Sequence, residues 1–295
     1  MGECTERMWG DMIHHYLIGG HHIIVKGKAL CTGVDLLPGF IPFHTEGIET
    51  ETLSFEETKE EVPTMQKVQY TLEHEDVKIG FGKTDKGHLI VLTSKNDGDL
   101  YVWIEKGSDK AMMKGSFTPC LLRFGLWVGY GLLTLHRCTI AIHSSCIVYK
   151  NKAVLFLGES GTGKSTHTRL WEEYITGASL LNDDSPLIRI EGEKVYVYGS
   201  PWSGKTPCYK QERYELKGCV RLSQAPYNWI EKLSILQAYG AIHPSCPPEF
   251  AYDDKLYDEV SEIIGHILSK VSCYHLACLP DKKAVQLSSS TIFDE

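Results

Sequence analysis

The sequence predicts an α/β protein of mixed sheets, with a β-rich N-terminal module over residues 1–115 and a mixed α/β core over 116–295. Three observations carry this. Four β-rich runs follow one another between Lys67 and Lys106 with no helix-length pattern among them. An apolar stretch at 119–136 then marks a change to mixed α/β character. Finally, the short apolar run Ala153–Leu157 opens into a glycine-rich loop and a helix-compatible segment. A chain of 295 residues suits one large domain or two ordinary ones.

Composition limits the function classes. With 42% hydrophobic and 23% charged residues the chain has enough apolar material for a core, which excludes wholesale disorder. A formal charge of −8 argues against a general nucleic-acid binder, which needs surplus Lys and Arg to displace counterions. The cysteines are scattered from Cys4 to Cys278 with no Cys-x-x-Cys, the pattern of reduced thiols in a cytosolic protein. The first residues, MGECTERMWGDM, carry acids and no apolar run, so no secretory signal is expected and the protein is placed in the cytoplasm.

Taken in order, residues 11–45 read as short strands and turns. HHYLIGGHHIIVKG offers His14, His15, His21 and His22 as metal ligands, but adjacent histidines in a hairpin point to opposite faces, so at most half converge. A plain hairpin is the better reading. Glu46–Glu61, with seven Glu and one Lys, reads as a solvated loop. KVQYTLE, VKIGFG, HLIVLT and LYVWIE are the four strands, separated by glycine-containing turns. The stretch Leu121–Leu135 is read as a buried helix beginning near Pro119. Its uncharged part is too short to cross ~30 Å of hydrocarbon, and no membrane partner is expected.

The chemistry is concentrated in AVLFLGESGTGKSTHTRLW. Gly158, Gly163, Lys164 and Ser165 complete G-x-x-x-x-G-K-[ST], and the loop through Glu159, Ser160, Gly161, Thr162 and Thr166 is the candidate nucleotide cradle. Glycines let successive N–H groups turn inward toward phosphate oxygens, and the following helix adds the positive end of its dipole. Lys164 supplies a point charge for the outer phosphates, and Ser165 a hydroxyl for Mg²⁺. About twenty residues on, LLNDDSPLIRI places Asp183 and Asp184 at the tip of a second strand, where one carboxylate can hold the metal and the other accept a proton. Asp184 is taken as the base and Asp183 as the metal partner, although adjacent carboxylates are not separable by sequence. Upstream, TIAIHSSCIVYKNK puts His143 in a strand feeding the loop. Downstream, Ser200–Lys205 reads as a surface loop, in which Lys205 is a candidate for stabilising charge on the transferred group. Cys273, His275 and Cys278 lie in a strand that sends Cys278 to the other face, so they are not read as a zinc site.

The order of a His-bearing strand, a turn, GESGTGKST and then NDD resembles the catalytic core of HPr kinase/phosphorylase and its phosphoenolpyruvate-carboxykinase-like fold. GKSTHTRLW, LLNDD, YGSPWSGK and the closing YHLACLPDKKAV further resemble a divergent branch found with modified-peptide biosynthesis, including lasso-peptide kinases. The resemblance covers about residues 119–285. It implies that His143, Lys164, Ser165, Asp183 and Asp184 carry over as site residues, with the aspartates serving the metal and the serine hydroxyl that is phosphorylated. The chain departs from the HPr kinase signature Glu-Ile-Arg-Gly-Leu-Gly, carrying YELKGCVRL at 214–222, which argues against HPr itself as substrate. The expected function is therefore an ATP- and Mg²⁺-dependent kinase acting on a serine of a peptide or small protein. The alternatives are a non-catalytic nucleotide-binding module that docks a peptide, and a kinase of a small hydroxy-metabolite such as free serine.

Overall fold

A computed structural model describes residues 12–47, 52–74, 76–204 and 206–293. The chain divides into two compact units between Leu133 and Thr134. In the first, β1 (Ile13–Ile18) and β2 (His21–Lys26) form the expected hairpin around Gly19 and Gly20. Beyond it the expectation of strands and turns fails. α1 (Lys28–Asp35) and a 3₁₀ segment at Pro38–Phe43 follow instead. α1 buries Leu30, Cys31 and Val34, one helical face, but its eight residues are too few for a period to stand out.

The acidic stretch is also corrected. It contains β3 (Thr52–Glu57), which pairs in parallel with β2 and with a strand near 110. Leu53, Ser54 and Phe55 are all buried, as in a strand covered on both faces. The acids that mask it in the sequence have local partners. Glu56 lies 3.2 Å from Lys110, and Glu57 Oε2 accepts from the backbone N–H groups of Ala29 and Leu30 at 2.9 and 3.2 Å, holding the start of α1.

The four predicted strands appear as β4 (Lys67–His74), β5 (Val77–Lys83), β6 (Gly87–Ser94) and β7 (Gly98–Glu105), and β8 (Lys110–Gly115) adds a strand not foreseen. The eight strands are ordered β1-β2-β3-β8-β7-β6-β5-β4. α2 (Pro119–Thr134) is the expected buried helix. Among the described residues no helix is long and apolar enough to cross a membrane. The helix packs with the β-rich unit, so the division falls after Leu133 and not at the expected 115/116. A Cβ on Gly129 would come within 2.8 Å of Phe55 Cε1, and the Tyr130 hydroxyl donates to the Ile18 carbonyl at 3.0 Å. A sheet with an apolar face needs a covering layer, and α2 supplies it.

The second unit holds β9 (Thr139–Ala141), β10 (Ser144–Tyr149), β11 (Lys152–Leu157), α3 (Lys164–Tyr174), β12 (Ser179–Asp184), β13 (Leu187–Glu191) and β14 (Lys194–Tyr198). It continues with β15 (Arg213–Gln224), β16 (Trp229–Lys232), α4 (Ile235–Ile242), α5 (Asp254–Lys270), β17 (Ser272–Cys278) and α6 (Lys282–Phe293). Its mixed sheet runs β12-β10-β11-β15-β14-β13-β9, with β17 joining β15 and β16 joining β17. β11, β15 and β17 are parallel, while β10 runs antiparallel to β11 and β12. Hence the end of β11, the start of β10 and the end of β12 lie at one edge. Under α3 and α6 the core is Phe156, Trp171, Leu222, Leu276 and Val285 with their neighbours.

Candidate active site

The glycine-rich loop leaves β11 at its C-terminal end, as the sequence predicts. Gly158 has φ +149°, and a Cβ there would sit 2.6 Å from Thr162 Oγ1, so both conformation and space exclude a side chain. Thr162 closes the turn, its N–H and hydroxyl reaching the Glu159 carbonyl at 3.2 and 2.8 Å. Glu159, Ser160 and Gly161 form an exposed rim, and Thr166 follows within α3. Among the described residues no side-chain cap bonds to the start of α3, so its first N–H groups keep their capacity for an anion. Lys164 Nζ donates to the carbonyls of Gly158 and Glu159 at 2.7 and 3.2 Å.

Successive residues of a strand point to opposite faces, and this separates the two aspartates at the end of β12. Asp183 is buried, and its Oδ1 accepts from Ser165 Oγ at 2.9 Å. Asp184 Oδ1 lies 3.6 Å from His143 Nε2, with both side chains partly exposed. Asp184 has φ +141°, a conformation that a residue with a Cβ rarely adopts.

His143 is not in a strand. It occupies the two-residue step between β9 and β10, because Ile142 N–H donates to the Pro186 carbonyl at 3.0 Å and His143 N–H to the Ser245 carbonyl at 2.7 Å, leaving neither for a ladder. Burial and the Lys164 charge push the imidazole below its ordinary value, against the opposing pull of Asp184 and Asp183. Lys164 is likewise lowered by burial, with Asp184 and Asp183 opposing. His143, Lys164 and the two carboxylates thus form one electrostatic group.

The segment read as a surface loop after β14 is buried over Ser200–Ser203. The cause is Asn182, a fully buried amide whose Nδ2 donates to the Trp202 carbonyl at 2.9 Å and the Ser200 hydroxyl at 3.3 Å, while its Oδ1 accepts from Ser185 N–H at 2.9 Å. The Ser203 hydroxyl then donates to the Thr206 carbonyl at 2.7 Å. Lys205 lies outside the described residues. Other supports come from elements far apart in sequence. Ser145 Oγ and Thr168 Oγ1 meet at 3.0 Å between β10 and α3, and Gln224 Nε2 donates to the Gly161 carbonyl at 3.0 Å. An amide inside the apolar run LLNDD is the one local signal that marks Asn182; Ser145 and Gln224 carry none.

Elsewhere, His15 and His22 share a face of the first hairpin and stack at 5.4 Å, and His14 lies 3.2 Å from Asp35. Among the described residues no group of three or more His, Cys, Asp or Glu is arranged to hold a metal ion, and the nine cysteines there are free thiols.

No family model matches the chain, and no curated protein matches it. Among solved structures, the Hpr(Ser) kinase/phosphatase from Coxiella burnetii is similar at 13% identity and a TM-score of 0.31, over 52% of this chain and 88% of that one. A likeness of that extent assigns no residue roles.

Proposed function

We propose that the chain is a cytoplasmic kinase that transfers the γ-phosphate of ATP to a serine hydroxyl of a peptide or small protein, with Mg²⁺ as its metal. The observation that carries this reading is the pairing of a phosphate loop with two carboxylates of different surroundings, Asp183 against Ser165 and Asp184 against His143. Simple nucleotide binding has no use for the second. The donor set fits Mg²⁺, a hard cation that takes a hydroxyl and a carboxylate beside phosphate oxygens. Ser165 and Asp183 would hold it, and when bound it neutralises charge on the outer phosphates.

The chain's own groups do the rest. Loop N–H groups and Lys164 hold the phosphates; burial lowers the Lys164 pKa from its ordinary value, and the two carboxylates oppose that shift. Asp184 accepts the proton of the acceptor hydroxyl as its oxygen bonds to the γ-phosphorus, while the bond from that phosphorus to the β–γ bridging oxygen breaks and ADP departs. His143, held below its ordinary pKa, is neutral at pH 7 and orients Asp184 and the transferred group without carrying a charge of its own. The resemblance of the sequence to kinases of modified-peptide biosynthesis favours a peptide acceptor. The test is phosphotransfer from labelled ATP to candidate peptides, with pools of small hydroxy-metabolites run separately. Lys164→Ala and Asp184→Asn should each lower transfer by about 10²-fold or more. Full transfer by either variant sinks the assignment, and tight ATP binding without transfer to any acceptor supports a binding module instead.

A further inference from the structure

A row of side chains beyond the phosphate loop has no part in the phosphotransfer just described. Val220, Leu222, Tyr274 and Leu276 face the core under α3, so their alternates on β15 and β17, Arg221, Ser223, His275 and Ala277, face the other way. Register extends the row onto β16, where Glu231 pairs with His275 and Trp229 with Ala277. Toward the loop, Arg221 pairs with Leu157, the residue before Gly158. Within the row the groups are linked. Ser223 Oγ and His275 Nε2 meet at 2.8 Å, His275 Nδ1 lies 3.9 Å from Glu231 Oε1, and the Trp229 ring stands edge-on to the imidazole at 6.4 Å. Trp229 is 47% exposed, and Tyr227 beside it is 59% exposed.

Topology gives the row its meaning. β12, which ends in the aspartates, and β10, which His143 immediately precedes, lie on one side of β11, and β15, β17 and β16 lie on the other. A nucleotide whose γ end reaches Asp184 therefore runs across the loop toward β15, and the Gln224–Gly161 bond ties the end of that strand to the loop itself. Trp229 stands three strand spacings from β11, about 14 Å, a distance of the order an extended nucleoside triphosphate spans. Charge falls along the same path, from Arg221 beside the loop to Glu231 at the far end. The far end thus repels further phosphate and suits a neutral, hydroxyl-bearing, flat group.

We propose that this row is the nucleoside subsite, with Trp229 stacking the purine base and the Ser223–His275 pair bonding the ribose hydroxyls. Glu231, whose Oε1 lies 3.9 Å from Nδ1, favours a proton on that nitrogen electrostatically, while Nε2 shares a hydrogen bond with the Ser223 hydroxyl. The proposal rests on the phosphate-loop reading and deepens it, by making Trp229 and His275 determinants of nucleotide choice.

Calorimetry on the full chain with Mg²⁺ separates the two. ATP and inorganic tripolyphosphate are titrated into wild type, Trp229→Ala and Trp229→Phe. Loss of the stacking partner should weaken ATP about tenfold to hundredfold, leave tripolyphosphate unchanged, and be largely restored by Phe. On unaltered protein, 2′,3′-dideoxy-ATP should bind several-fold more weakly than ATP, and His275→Gln should erase that difference. If ATP affinity is indifferent to Trp229 and to the sugar hydroxyls while tripolyphosphate binds, the nucleoside subsite is overturned and the phosphate loop stands. If wild type binds neither ligand, both readings fall.

Discussion

The histidine hairpin of the first unit and the loop-and-aspartate edge of the second use similar materials: strand ends, imidazoles and a nearby carboxylate. In the hairpin, His21 and His22 are buried and His15 stacks on His22. Its rings fill space against one another. At the edge of the second sheet, His143 and Asp184 keep 47% and 37% of their side-chain surface open, 3.6 Å apart, beside a partly buried lysine. The backbone differs as well. The hairpin turns on glycines, whereas Asp184 holds φ +141° with a side chain in place. A clustered set of titratable groups is structural when its members pack against their neighbours out of solvent. It is a candidate for chemistry when they remain accessible and the chain bears strain to place them.

The sharpest way to break that contrast is to remove the strain. Asp184→Gly relaxes the backbone and deletes the carboxylate, so phosphotransfer should fall about 10²- to 10⁴-fold while stability in urea rises by about 1 kcal/mol. Asp184→Asn should lose as much activity with no gain in stability. An Asp184→Gly variant that is less stable than wild type would show the conformation to be a comfortable one, and the contrast with the hairpin would lose its backbone half.

A second test uses a histidine of the other kind inside the same unit. His167 sits on α3 directly after the loop, yet it is buried, and Trp171 Nε1 donates to its Nε2 at 3.2 Å. The same indole N–H is shared with Ser288 Oγ at 3.1 Å, which itself lies 3.2 Å from Nε2; with Nε2 accepting from the indole, the ring's proton is on Nδ1. Charging the ring would set two donors against each other, and burial pushes the imidazole down to about 4. Its folded pKa lies below the unfolded value near 6.5, so the neutral ring's contribution is complete above pH ~6.5 and is lost as pH falls toward ~4. Chemical denaturation should show about 3 kcal/mol less stability at the acid end of that window, and His167→Phe should remove that part of the slope. An unchanged slope would place His167 outside the structural class.

Much of this was legible in the sequence because it is local. The loop motif, the strand before it, the helix after it and the paired aspartates lie within about thirty residues, and each follows from glycine chemistry or period. What escaped is non-local or masked. β3 was hidden by acids whose partners, Lys110 and the start of α1, lie far off in sequence. The Ser200–Ser203 segment has the composition of a surface turn and is held against β12 and the turn after it by Asn182 and by the Ser200 hydroxyl, which donates to the Ser185 carbonyl. The unit division lies after Leu133 because the apolar α2, compatible in sequence with either neighbour, lies against Phe55 and bonds to Ile18.

The smallest expected effect falls on the hairpin. Among the described residues His15 Nδ1 is a buried nitrogen without a hydrogen-bond partner, and the ring stacks on His22. His15→Phe keeps a flat ring there and deletes the unpartnered polar atom. Stability should therefore change by less than about 1 kcal/mol, in either direction, and ATP affinity should not change. The metal question is settled by the same pair of proteins: a melting temperature that rises with added Zn²⁺ or Ni²⁺ in wild type but not in the variant would make His15 a ligand. In that case the hairpin would belong with the second unit's edge, and accessibility would no longer separate the two regions.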